Sequence, residues 1–148
     1  MIYLLDTNHF SRLVVGNLPL RQKIAEVGET NVAISMITQG EMLYMAYKSQ
    51  RKQQNLAHIQ SYLKEICIYP LSSSIAEYYG KFKAGLINHF GPQEREKRRR
   101  TKMQTIGISD NDLWIACTAI EHNLTIVSQD SDFSRMKEVM NISLESWL

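Results

Sequence analysis

Five short apolar runs punctuate the chain: "MIYLLD" (1–6), "NVAIS" (31–35), "CIYPL" (67–71), "LTIVS" (124–128) and "NISLES" (141–146). Each has the length and side-chain content of a β-strand. Between them the pattern changes to helical, over 9–15, 19–27, 37–48, 50–65, 73–89, 110–122 and 131–139. A strand followed by a helix and then another strand predicts parallel pairing, because a parallel neighbour is reached only through a crossover. The alternation therefore predicts an α/β domain with a mostly parallel sheet covered by helices on both faces. At 148 residues and 44% hydrophobic content the chain suits one domain with a sizeable core, spanning 1–148. Segment 91–107, which begins "GP" and ends at Gly107, is expected to be a mobile loop or a frayed helix extension rather than a domain boundary.

The formal net charge of +2 hides an asymmetry. Residues 95–102, "REKRRRTK", hold six of the 17 basic residues (Arg95, Lys97, Arg98, Arg99, Arg100 and Lys102) and one of the 15 acids. The window is thus +5 and the remainder of the chain −3. Such a block is most often a solvated loop; it is also the footprint of a phosphate-binding surface. Cys67 and Cys117 lie among apolar neighbours without metal-ligand spacing, and read as small core residues with no disulfide, in a reducing compartment. No apolar run approaches the roughly 18 residues of a membrane span, and the N-terminus reaches Asp6 without a basic leader. A cytoplasmic protein that does not engage membranes is expected.

The chain has only five aspartates, at 6, 110, 112, 130 and 132. Asp6 and Asp130 follow strands, and the carboxyl ends of parallel strands form the face on which ligands bind. Asp110 and Asp112 open the nearly all-apolar helix "LWIACTAI". Carboxylates gathered from remote segments repel one another unless a cation or protons lie between them, and an all-oxygen set selects a hard ion such as Mg²⁺ or Mn²⁺. Each acid also has a structural reading. Asp6 can cap the next helix, Ser109 or Asp110 can cap the helix from 110, and one of Asp130 and Asp132 can belong to a turn or helix start. Asp112 is explained least well this way, because it sits at the edge of a buried helix, where a carboxylate needs partners. Glu41, in "ISMITQGEMLYMA", shares a helix face with Tyr44 and Lys48, and taken alone would be a solvent-facing residue.

"YLLDTN", "ISMITQGEMLYMA", "IGISDNDLWIACTAI" and "LTIVSQDSDFSRM", with a final strand "ISLESWL", resemble in order the successive signatures of PIN-domain ribonucleases of the VapC toxin type. The resemblance spans essentially the whole chain. It implies a three-layer α/β/α sandwich around a parallel sheet of four or five strands, and an endoribonuclease that uses Mg²⁺ or Mn²⁺. It also implies frequent homodimers and inhibition by a cognate antitoxin protein. Residue by residue, the family's acids fall on Asp6, Glu41, Asp112 and Asp130, with Asp6, Asp112 and Asp130 as metal ligands. Glu41 is then a ligand or the orienter of the attacking water, and Thr7, Asn8 and Ser128 are supporting donors. Asp110 has no counterpart, and Asp132 remains ambiguous. The basic block Arg95–Lys102 and Gln129 depart from the usual pattern and bear on the choice of RNA.

Competing chemistries are weaker. His9, His58, His89 and His122 lack ligand spacing, so a histidine-based ribonuclease is a poor second; His9 alone, three residues after Asp6, is placed to touch a substrate phosphate. A phosphatase of the haloacid-dehalogenase type needs an acid two residues after the first, where this chain has Asn8. A non-catalytic RNA- or partner-binding module of the same fold would be expected to have lost at least one of the four acids.

Overall fold

The computed structural model describes Met1–Leu148. In chain order its elements are β1 (Tyr3–Leu5), α1 (Thr7–Val14), α2 (Leu18–Val27), β2 (Val32–Ser35), α3 (Met36–Lys48), α4 (Lys52–Leu63), β3 (Cys67–Tyr69), α5 (Ser73–Phe90), α6 (Arg95–Arg100), α7 (Met103–Ile106), α8 (Asp110–His122), β4 (Thr125–Val127), α9 (Ser131–Met136) and β5 (Ser143–Glu145). The strands form one sheet in the order β3-β2-β1-β4-β5, with every pair parallel. This is the α/β/α arrangement expected, with five strands, each shorter than its apolar run.

The central strands are apolar because both their faces are covered. Successive residues point to opposite sides of the sheet, so Leu4, Ala33 and Ile126 enter one core while Leu5, Val32, Ile34 and Val127 enter the other. The first core lies under α5, α7, α8 and α9, the second under α1 to α4. Short helices depend on these cores, since a single turn or two is unstable alone. Phe133 and Met136 of α9, and Met103 and Ile106 of α7, are buried in the first core and so fix the chain on either side of α8. At the end of α7, Gly107 adopts φ 76, a left-handed conformation that suits glycine, and turns the chain into α8.

Two expectations need correction. Segment 91–107 carries two helices, α6 and α7, and the apolar anchors of the second lie beyond a run of charges that masks the pattern. Cys67 is exposed, because β3 is an edge strand, whereas Cys117 is buried and its thiol is pushed up to about 12 by that burial. The two are unpaired thiols, as expected.

Candidate active site

With β1 at the centre of the sheet and β2 and β4 beside it, the segments leaving their carboxyl ends start close together. Each begins with a polar cap. Asp6 caps α1 and Ser35 caps α3, while Asp130 caps α9. Ser109 caps α8. An exposed backbone N–H array at a helix start favours negative charge, which helps four carboxylates to gather: Asp6, Asp130, Asp132 in the first turn of α9 and Asp112 in the first turn of α8.

A continuous set of hydrogen bonds ties these segments together. Ser128, at the end of β4, donates its hydroxyl to Asp6 Oδ2 at 2.5 Å and accepts from the Asp130 N–H at 2.9 Å. Asp130 Oδ1 accepts from the Asp132 N–H at 2.9 Å, and Asp132 Oδ2 accepts from the Ser109 N–H at 2.9 Å. The other Asp6 oxygen, Oδ1, accepts from the His9 N–H at 2.8 Å and lies 3.0 Å from His9 Nδ1. On the far side, Thr7 donates to Glu41 Oε1 at 2.8 Å, which leaves its oxygen to accept from Thr38 at 3.1 Å.

The carboxylates of Asp112, Asp130 and Asp132 come closest, each offering an oxygen within 4.8 Å of the others. Crowding has an electrostatic consequence. The Asp112 carboxyl is pushed up from 3.8 to about 8 by its burial first, then by a hydrogen bond shared with Asp132 and by the charges of Asp130, Asp132 and Asp6. Asp112 therefore holds a proton at neutral pH when nothing else neutralises the cluster. An all-oxygen set of this kind suits a hard divalent cation, which would replace that proton as the counter-charge.

Of the residues singled out in the sequence, Asp6, Asp112 and Asp130 lie close together, and Ser128 bonds to both Asp6 and Asp130. Glu41 is half-buried and reaches this edge through Thr7, across the β1–β2 pair. Asn8 is exposed and bonds to none of the carboxylates. Asp132, ambiguous in the sequence, belongs to the closest trio. Spacing could not resolve it, because residues two apart at a helix start point in directions set by the cap.

The two acids at 110 and 112 separate cleanly. Ser109 is the cap, accepting from the N–H groups of Asn111 and Asp112 at 3.1 and 3.4 Å. Asp110 instead accepts from the Tyr79 hydroxyl at 2.6 Å and from Lys83 at 3.2 Å, joining α8 to α5 beside the stacked Tyr79 and Trp114 rings. His9 also differs from expectation. It is 1% exposed, with its Nε2 shut away from solvent, so it does not offer itself to a phosphate.

An open groove of about 640 Å³ leads from Thr7 and Glu41 along α3 to Tyr44 and Lys48, and includes Asn111 at the start of α8. Another cleft, of about 550 Å³, lies among α1, α2 and α4 and contains none of the clustered acids. In α6 the side chains of Arg95, Lys97, Arg99 and Arg100 are exposed, as is Lys102 beyond it. Arg98 turns back to the carbonyls of Pro92 and Gln93, and Lys97 lies 3.5 Å from Glu94.

Residues 3–139 match the model of the PIN domain. The chain belongs to the PIN-domain family. Within it, ribonuclease VapC2 of Rickettsia felis is 30% identical, over 99% of this chain and 98% of the relative. Ribonuclease VapC1 of Haemophilus influenzae strain R2866 is 27% identical over 94% and 95% of the two chains. The crystal structure of VapBC2 from Rickettsia felis bound to a DNA fragment from their promoter superposes with a TM-score of 0.76 at 28% identity, covering 100% of both chains. PIN-domain membership agrees with the order of the four motifs and with the all-parallel five-stranded sheet. No helix is long and apolar enough to cross a membrane.

Proposed function

We propose that this PIN-domain protein is a Mg²⁺- or Mn²⁺-dependent endoribonuclease, the toxin of a toxin–antitoxin pair, acting in the cytoplasm. The observation that carries the reading is the meeting of Asp6, Asp112, Asp130 and Asp132 at the carboxyl end of the sheet, where burial first and then the neighbouring acids push the Asp112 carboxyl up to about 8. It is supported by ribonuclease VapC relatives that match along nearly their full length. The non-catalytic alternative is not favoured, because no acid of the expected set is missing.

In this reading Asp6, Asp112 and Asp130 hold the metal, directly or through water, and Asp132 joins them. When bound there, the cation supplies a nucleophile at neutral pH by acidifying water and offsets the charge of the phosphodiester. Glu41, held by Thr7, orients the attacking water or completes the ligand set. Ser128 fixes Asp6 and, through Asp130, the first turn of α9. The RNA strand runs along the groove beside α3, with exposed Arg95, Lys97, Arg99, Arg100 and Lys102 gripping phosphates outside it. Arg98 contributes its charge from a position tied to the local backbone. A cognate antitoxin is the protein partner, as VapBC complexes among the structural neighbours suggest, and the protein works as a homodimer.

RNA cleavage by the purified chain tests the proposal. Cleavage should require Mg²⁺ or Mn²⁺, stop with chelator and return when metal is restored. Asp6→Asn keeps the helix cap and the shape of the side chain while removing the charge; it should lower the rate by orders of magnitude with the fold intact. Wild-type cleavage by Asp6→Asn, or cleavage indifferent to chelator, would refute the assigned site.

A further inference from the structure

His9 occupies an unusual position for a polar residue. Its side chain is 1% exposed, its Nδ1 is 3.0 Å from Asp6 Oδ1, and its Nε2 is buried without any partner. An ionised carboxylate only accepts hydrogen bonds, so Nδ1 carries the hydrogen in that contact. Nε2 is then left in an interior that offers it no hydrogen-bond partner, an arrangement that is unfavourable in itself. An apolar side chain of similar size would fill the same space without that penalty. What such a side chain lacks is a second donor to Oδ1, which otherwise keeps only the backbone N–H bond at 2.8 Å.

The Asp6 carboxylate is thus held from two sides: Oδ1 by His9 and Oδ2 by the Ser128 hydroxyl at 2.5 Å. A donor on each oxygen fixes the plane of the carboxylate as well as its position. Through Ser128, which bonds to both Asp6 Oδ2 and the Asp130 N–H, the held carboxylate is tied to the segment that carries Asp130 and, beside it, Asp112 and Asp132. We infer that His9 is a positioning residue whose Nδ1–H locks the Asp6 carboxylate in the orientation that accepts a divalent cation. The inference rests on the proposed metal role of Asp6. It assigns to His9 no contact with RNA and no proton transfer.

The test is calorimetric titration of the purified chain with Mn²⁺ alone, beside steady-state RNA cleavage and thermal unfolding in chelator. Three variants are compared with wild type. His9→Leu removes the donor and keeps an apolar filling; His9→Asn puts an amide N–H close to where Nδ1 lies; Asp6→Asn reports whether the metal reading itself holds. His9→Leu should unfold in chelator at or above the wild-type temperature, yet bind Mn²⁺ about 10- to 100-fold more weakly, the range for loss of an outer partner of a metal ligand. Its kcat should fall while KM for RNA stays unchanged, and His9→Asn should restore both Mn²⁺ affinity and kcat. A folded His9→Leu with wild-type Mn²⁺ affinity overturns the inference, as does a His9→Asn that binds Mn²⁺ as weakly as His9→Leu. If His9→Leu does not fold, His9→Met, equally without a donor and more adaptable in shape, takes its place, and weak Mn²⁺ binding by His9→Asn is by itself sufficient to overturn it. If Asp6→Asn binds Mn²⁺ as wild type does, the metal role of Asp6 fails instead.

Discussion

Replacing Asp112 with Asn isolates the electrostatic cost of the acidic cluster. In the folded, metal-free protein the Asp112 carboxyl titrates at about 8, against 3.8 as its ordinary value. A raised value means that the folded state binds the proton more tightly than the unfolded chain does. The associated stability is fully present below 3.8 and is lost as the pH rises toward about 8. At pH 7 the unfolded chain is ionised and the folded site mostly is not, a difference worth up to about 4 kcal/mol against folding. Asn cannot ionise in either state, and its amide can donate to Asp132 as the protonated carboxyl does. In chelator at pH 7, Asp112→Asn should therefore be more stable than wild type by about 2–4 kcal/mol, the lower figure allowing for solvent at this half-buried site. For a chain of this size that is a rise of roughly 5–15 °C in unfolding temperature. Near pH 4 the difference should almost vanish. Saturating Mn²⁺ should narrow or reverse it at pH 7, because a ligand that binds only the folded wild type stabilises it by mass action. Thermal unfolding across this pH range, with chelator and with Mn²⁺, reads all three outcomes. A metal-free Asp112→Asn no more stable than wild type at pH 7, or a gap that ignores pH, would refute the argument that mutual repulsion and burial govern this site.

Changing Arg99, Arg100 and Lys102 together to Ser should weaken RNA binding and lower the slope of log affinity against log salt by about 2, since each phosphate contact on a single strand contributes about 0.7; an unchanged slope would leave α6 a solvated helix. Ser109→Ala removes the cap of α8 and should cost about 1 kcal/mol in denaturant unfolding. Asp110→Ala loses exposed contacts with Tyr79 and Lys83 and should cost no more than about 1 kcal/mol, with RNA cleavage and stabilisation by Mn²⁺ retained. Loss of both activity and the Mn²⁺ response in Asp110→Ala would reverse the roles given to Asp110 and Asp112.

The architecture is legible in the chain because its decisive signals are local. A strand buried on both faces must be an apolar run, as "NVAIS" and "LTIVS" are, and strands separated by helices have the crossovers that parallel pairing needs. Local signals also put Asp6 and Asp130 after strands and acids in the first turn of α8. Which polar groups meet depends on how distant segments pack. Glu41 reaches Thr7 because β1 and β2 are neighbours in the sheet, and Asp132 reaches Ser109 because Phe133 and Met136 hold α9 in the core. Cys67 has apolar neighbours in "EICIY" but is exposed because β3 is an edge strand, and the apolar grip of α7 lies hidden behind the charges of α6. The sequence places His9 within reach of substrate, but its ring is buried against Asp6. Periodicity says that a residue lies on a strand or a helix; which face that residue shares, and with whom, is set by contacts between segments far apart in the chain, such as the 122-residue separation bridged by Ser128 and Asp6.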